Sequence, residues 1–103
     1  MNQQIFNEIQ ALKRQILPNE RVILFGSQAR GDACEDSDWD LLVLLNKEKK
    51  MFEDEDSYGY PFAEMGLKYK TYVSVKIYTS KEWEKRKPTP FYKNVEHEGI
   101  EIL

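Results

Sequence analysis

Residues 41–45, "LLVLL", follow directly on Trp39 and Asp40 and offer no polar position to either side of an extended strand. Side chains alternate between the two faces of a strand, so a strand apolar at every position needs cover on both faces. "WDLLVLL" (39–45) is therefore expected at the centre of a sheet with other layers packed over it. A chain of 103 residues has room to do this once, around one hydrophobic core. We expect residues 1–103 to form a single domain.

The other elements arrange themselves around that strand. Ile5, Ile9, Leu12 and Ile16 recur at spacings of four, three and four, the apolar stripe of an amphipathic helix over 3–17 that Pro18 and Asn19 end. "RVILF" (21–25) is a short apolar strand, broken by Gly26 and Ser27; "SQAR" then suits a brief helix ended by Gly31. Residues 46–57 carry "KEKK" and "EDED" and are expected to be a solvated loop. Phe62, Met65 and Tyr69 sit at helical spacing after Pro61, and "TYVSVKIYT" (71–79) alternates as a strand. "TSKE" (79–82) is a capping box opening a short helix through Trp83. "TPFYKNVEHEG" predicts a last helix, with an N-cap threonine and a proline at the first position, and "IEIL" a last short strand. The fold class these elements imply is α/β (α+β), a small mixed sheet with helices packed mainly on one face.

Composition narrows the function classes. A net charge of −3 gives no basic field, so nucleic acid is not an expected partner. The longest apolar run, five residues, is far short of the ~20 that span a bilayer. The N-terminus lacks the basic and apolar regions of a signal peptide. Cys34 is the only cysteine, which excludes an internal disulfide and suits a reducing cytoplasm, the expected location. His97 is the only histidine, so one chain cannot build a histidine-rich zinc site. Trp83, Phe91 and Tyr92 are expected in the core or against a partner.

Between the Gly-Ser turn and the apolar run at 41–45 lie Asp36, Asp38 and Asp40, on alternate residues. D-x-D-x-D opens a calcium-binding EF-hand loop, but that loop then needs glycine and, at its twelfth position, glutamate. Leu41 and Lys47 occupy those places, and the match fails. In an extended segment Asp38 and Asp40 instead share a face, where two carboxylates repel unless a cation lies between them. A hard divalent ion would satisfy them; so would Arg30 or a lysine. Asp36 could equally be a cap or a solvated residue. Strand, Gly26-Ser27 and short helix together aim backbone N–H groups and a hydroxyl at an anion, with Arg30 one turn further on. A phosphate cradle and a divalent-metal pair within fifteen residues describe a site for a metal-bound nucleoside triphosphate.

"GSQARGDACEDSDWDLLV" resembles the signature G-S-x-A-R-G…S-D-x-D-L of the nucleotidyltransferase superfamily with the DNA polymerase β-type fold. Within it the chain most resembles the minimal nucleotidyltransferases, short proteins usually encoded beside a helical HEPN-type partner. The specific match covers about twenty residues; the N-terminal helix and the "PFYKNVEHEGIEI" tail fit more loosely. The resemblance implies that Gly26 and Ser27 hold the triphosphate and that Asp38 and Asp40 are catalytic residues binding magnesium or manganese. Arg30 would touch phosphate or brace the turn. The implied reaction is in-line attack of a protein or small-molecule hydroxyl on the α-phosphorus, expelling pyrophosphate, with two metal ions assisting. A HEPN-type toxin is the acceptor this implies, with the present chain as its antitoxin. A homo-oligomer is also compatible with the sequence.

The family usually adds a third carboxylate on a neighbouring strand. In "YVSVKIY" that position is Ser74, with Lys76 on the same face. Serine supplies neither a charged ligand nor a base with a pKa near 4. Three outcomes fit this gap: a weakly held metal, Glu64 or Glu82 substituting from elsewhere, or a module that binds nucleotide or partner without efficient transfer.

Overall fold

The computed structural model describes residues 1–34 and 37–103; Asp36 lies outside the described residues. Among the described residues, five helices and four strands are arranged in the order α1 (Gln3–Ile16), β1 (Arg21–Phe25), α2 (Ser27–Arg30), β2 (Trp39–Leu45), α3 (Tyr60–Lys68), β3 (Val73–Thr79), α4 (Ser80–Glu84), α5 (Pro90–Glu98) and β4 (Ile100–Glu101). A single π-helical turn, Glu55–Gly59, runs straight into α3.

The sheet has strand order β3-β2-β1-β4, with β1 antiparallel to both β2 and β4 and β3 parallel to β2. It is therefore mixed. β2 lies inside it, as its apolar run demands, and every β2 residue except Asp40 is buried. On one face Val22, Leu24, Leu41, Val43, Val73 and Ile77 pack with Ile5 and Ile9 of α1 and Phe62 of α3, forming the larger core. On the other face Ile23, Leu42 and Leu44 meet Trp83 of α4 and Val95 of α5 in a smaller cluster. Phe91 and Tyr92 join that cluster from α5, so these aromatics belong to the core.

Helix boundaries follow local chemistry. The Asn2 side chain accepts hydrogen bonds from the Gln4 and Ile5 amides and starts α1. The Thr79–Glu82 capping box forms as expected: the Thr79 hydroxyl accepts from the Glu82 amide while the Glu82 carboxylate accepts from the Thr79 amide. Thr89 caps α5, with Pro90 behind it.

The charged connection expected as a solvated loop over 46–57 departs from it at its end, where Glu55–Ser57 already belong to the π-helical turn, and at Asp54, which is not solvated. Asp54 is buried, where it accepts hydrogen bonds from Lys47 Nζ at 3.0 Å and from the Met51 amide at 2.6 Å. These bonds hold its carboxyl below the usual range despite its burial.

Candidate active site

The sheet topology gathers the C-terminal end of β1, the N-terminal ends of β2 and β3, and α2. Phe25 pairs with Asp40, and Asp40 pairs with Ser74.

Gly26 leaves β1 with φ 76° and ψ −157°, a backbone conformation that L side chains rarely adopt. Its carbonyl accepts from the Arg30 amide, and the Ser27 carbonyl accepts from Gly31 and Asp32. The left-handed Gly31 closes the turn. The first amides of α2 have no partner within so short a helix. Gln28 is buried, and its Nε2 donates to the Ser37 carbonyl at 3.3 Å, tying α2 to the segment before β2.

Asp38 is exposed just before β2, and Asp40 is half-buried as the second residue of the strand. Gly26 fits directly against Asp40: a Cβ on the glycine would overlap Oδ2 of the carboxylate. Burial raises the Asp40 pKa first, the negative charge of Asp38 raises it further, and Lys76 and Arg30 oppose the shift. Among the described residues, neither aspartate side chain makes a hydrogen bond or an ion pair. Arg30 instead meets Asp32 at 3.3 Å and Glu98 of α5 at 3.9 Å. The pair thus presents hard carboxylate oxygens with no direct hydrogen-bond or ion-pair partner among the described residues, next to Gly26 and with Lys76 and Arg30 as the positive charges acting on Asp40. This donor set fits a magnesium or manganese ion accompanied by phosphate.

Ser74 lies opposite Asp40 and on the same face of the sheet. Lys76, exposed, is the next residue of β3 on that face. Glu82 is spent on capping α4 at the far end of β3. Glu64 is exposed on α3, along a groove shared with Glu8 and Leu12 of α1. Neither glutamate reaches the place opposite Asp40. Among the described residues, no three histidine, cysteine, aspartate or glutamate side chains cluster as a metal site. Cys34 and His97 are exposed.

One feature escaped the sequence reading. A cleft of about 670 Å³ adjoins Asp38 on the α1 side, lined by Asn2, Gln28, Tyr69, Lys70 and Tyr72 among others. Its walls come from five separate segments, so no local pattern marks it.

Residues 5–101 match the nucleotidyltransferase domain family. A protein of Methanocaldococcus jannaschii, assigned as a protein adenylyltransferase, is 39% identical over 83 residues, spanning 81% of this chain and 78% of the relative. A solved structure from Sulfolobus solfataricus, assigned as a nucleotidyltransferase, matches with a TM-score of 0.50 and 23% identity. That match covers 80% of this chain and 77% of the other. It is a likeness of fold. Among the described residues, no helix is long and apolar enough to cross a membrane.

Proposed function

The chain belongs to the nucleotidyltransferase domain family, and from that premise we propose that it moves a nucleoside monophosphate from a nucleoside triphosphate to a protein hydroxyl. AMP from ATP is the transfer to test first, in line with the M. jannaschii relative assigned as a protein adenylyltransferase. The observation that supports the reading is the fit of Gly26 against Asp40, which sets the Gly-Ser turn directly against one of the two aspartates.

The turn at Gly26 would offer backbone N–H groups to the triphosphate while its missing side chain leaves room for Asp40, and Ser27 offers its amide and hydroxyl. Arg30, held by Asp32 and Glu98, braces the turn and adds positive charge nearby. Asp38 and Asp40 would hold the magnesium or manganese ion. When bound, such an ion supplies positive charge to the phosphate oxygens. The acceptor oxygen forms a bond to the α-phosphorus as the bond to the α,β-bridging oxygen breaks. Pyrophosphate leaves with that electron pair, and the acceptor's proton passes to water. Ser74 cannot take the proton, so transfer should be slow for the family.

The resemblance makes a HEPN-type helical protein the first acceptor to try, in the cytoplasm and with this chain as antitoxin. Ser74 opposite Asp40 favours a second reading: a module that neutralises its partner by contact, with little transfer. Incubation of the copurifying partner with ATP and magnesium separates the two. Transfer puts α-phosphate label, and no γ-phosphate label, on the partner. A tightly bound partner that stays unlabelled supports contact alone.

A further inference from the structure

We propose that Lys76 is a phosphate-binding residue of this site, and that its ammonium group takes the place of a second divalent cation. The proposal rests on the nucleotidyl-transfer reading above.

The register Asp40↔Ser74 and Leu42↔Lys76, combined with strand alternation, puts Asp40, Ser74 and Lys76 on one face. Neighbouring strands lie about 4.8 Å apart and same-face residues of one strand about 6.6 Å apart. The four-carbon arm of Lys76 therefore reaches the space before Asp40 and Ser74. Lys47, Lys50, Lys68, Lys81 and Lys87 are all engaged with carboxylates. Among the described residues Lys76, like Lys13, Lys49, Lys70, Lys85 and Lys93, has no such ion pair, and of these it alone lies on β3 on the face shared by Asp40 and Ser74.

Charge counting gives the same answer. Three carboxylates would carry three negative charges and favour two divalent ions. Asp38, Asp40 and Lys76, with a neutral Ser74, carry one. One divalent ion and one ammonium group then face the phosphates. The lysine, a compact charge on a flexible stem, can follow an oxygen as transfer proceeds.

The test counts ions directly. The full chain is mixed with manganese and a non-hydrolysable α,β-methylene ATP analogue, and the complex is weighed by native mass spectrometry. We expect one manganese per chain–analogue complex in wild type and two in Ser74→Asp with Lys76→Val. Calorimetry should show Lys76→Met binding the analogue about tenfold more weakly, with Lys76→Arg close to wild type. Thermal unfolding checks that each variant folds. Two ions in wild type, one ion in the double variant, or unchanged affinity in Lys76→Met would each overturn the role of Lys76 and leave the nucleotidyl-transfer reading standing. Failure of wild type to bind the analogue at all would overturn both.

Discussion

The backbone of Gly26 lies flush against the carboxylate of Asp40, in space that any Cβ would occupy. Two demands meet at this glycine, since its φ of 76° is also one that other residues avoid. The sequence element that bends away from β1 and the one that opens β2 are thus fitted to each other before any ligand arrives.

Gly26→Ala should therefore destabilise the fold by about 1–3 kcal/mol, the usual cost of such a backbone strain. It should also weaken triphosphate binding by displacing Asp40. Adding Asp40→Ala relieves the overlap but not the strain, so stability should return in part. Urea unfolding of the two single variants and the double variant gives the coupling energy. Strict additivity would mean that the two residues do not touch.

Asp40 carries a pH signature in the metal-free protein. Its folded-state pKa is raised by burial and by Asp38. The native state therefore loses stability as pH rises through the unfolded value and then the folded one. Asp40→Asn should unfold at a higher temperature than wild type at pH 7 in chelator. That advantage should shrink below the ordinary aspartate pKa of about 3.9. A constant difference across pH would contradict a raised Asp40.

Glu96 should behave in the opposite sense. It accepts from Arg21 at 3.1 and 3.2 Å and from the Trp83 indole at 2.7 Å, and these bonds lower its pKa, the Arg21 contribution leading. The stability it contributes is complete above the unfolded value and is lost as pH falls through the lowered folded one. Glu96→Gln should cost about 1 kcal/mol at pH 7, discounted for partial exposure, with the deficit vanishing in acid. Denaturant midpoints of both proteins followed downward from pH 7 check this, the deficit shrinking once the pH falls below the ordinary glutamate range.

Ser74 limits the rate in this scheme. A positioned general base contributes 10²–10⁴-fold. Ser74→Asp with Lys76→Ala should raise labelled transfer roughly tenfold or more, after losing the lysine contact. Ser74→Asp alone should gain less, because Lys76 on the same face pairs with the new carboxylate. Initial rates of label transfer compare the three proteins, and equal rates would mean that the base is supplied elsewhere.

Local patterns announced most of the fold. The apolar run of β2, the Thr79–Glu82 box and the glycine after "SQAR" each encode their element within a few residues, and each formed. The face shared by Asp40 and Ser74 was legible too, because alternation along β3 fixes it once β3 lies beside β2. Long-range pairings were not legible. Arg30 meets Glu98 from the far end of the chain, and Arg21 meets Glu96 and Glu101. Asp54 looked like one more charge in an acidic run until Lys47 and the Met51 amide came to it. The fate of Glu82 was written in its own capping box, a local bond that removes it from the site.

The most direct measurement is thermal unfolding of wild type and of Asp38→Asn with Asp40→Asn, each with ATP, magnesium, both or neither. Ligand that binds only the folded state raises the unfolding temperature by linkage. Wild type should shift only when ATP and magnesium are present together. The double variant should show no shift, while its unliganded form should be as stable as wild type or slightly more so. An equal ATP–magnesium shift in both proteins would contradict a nucleotide site built on Asp38 and Asp40.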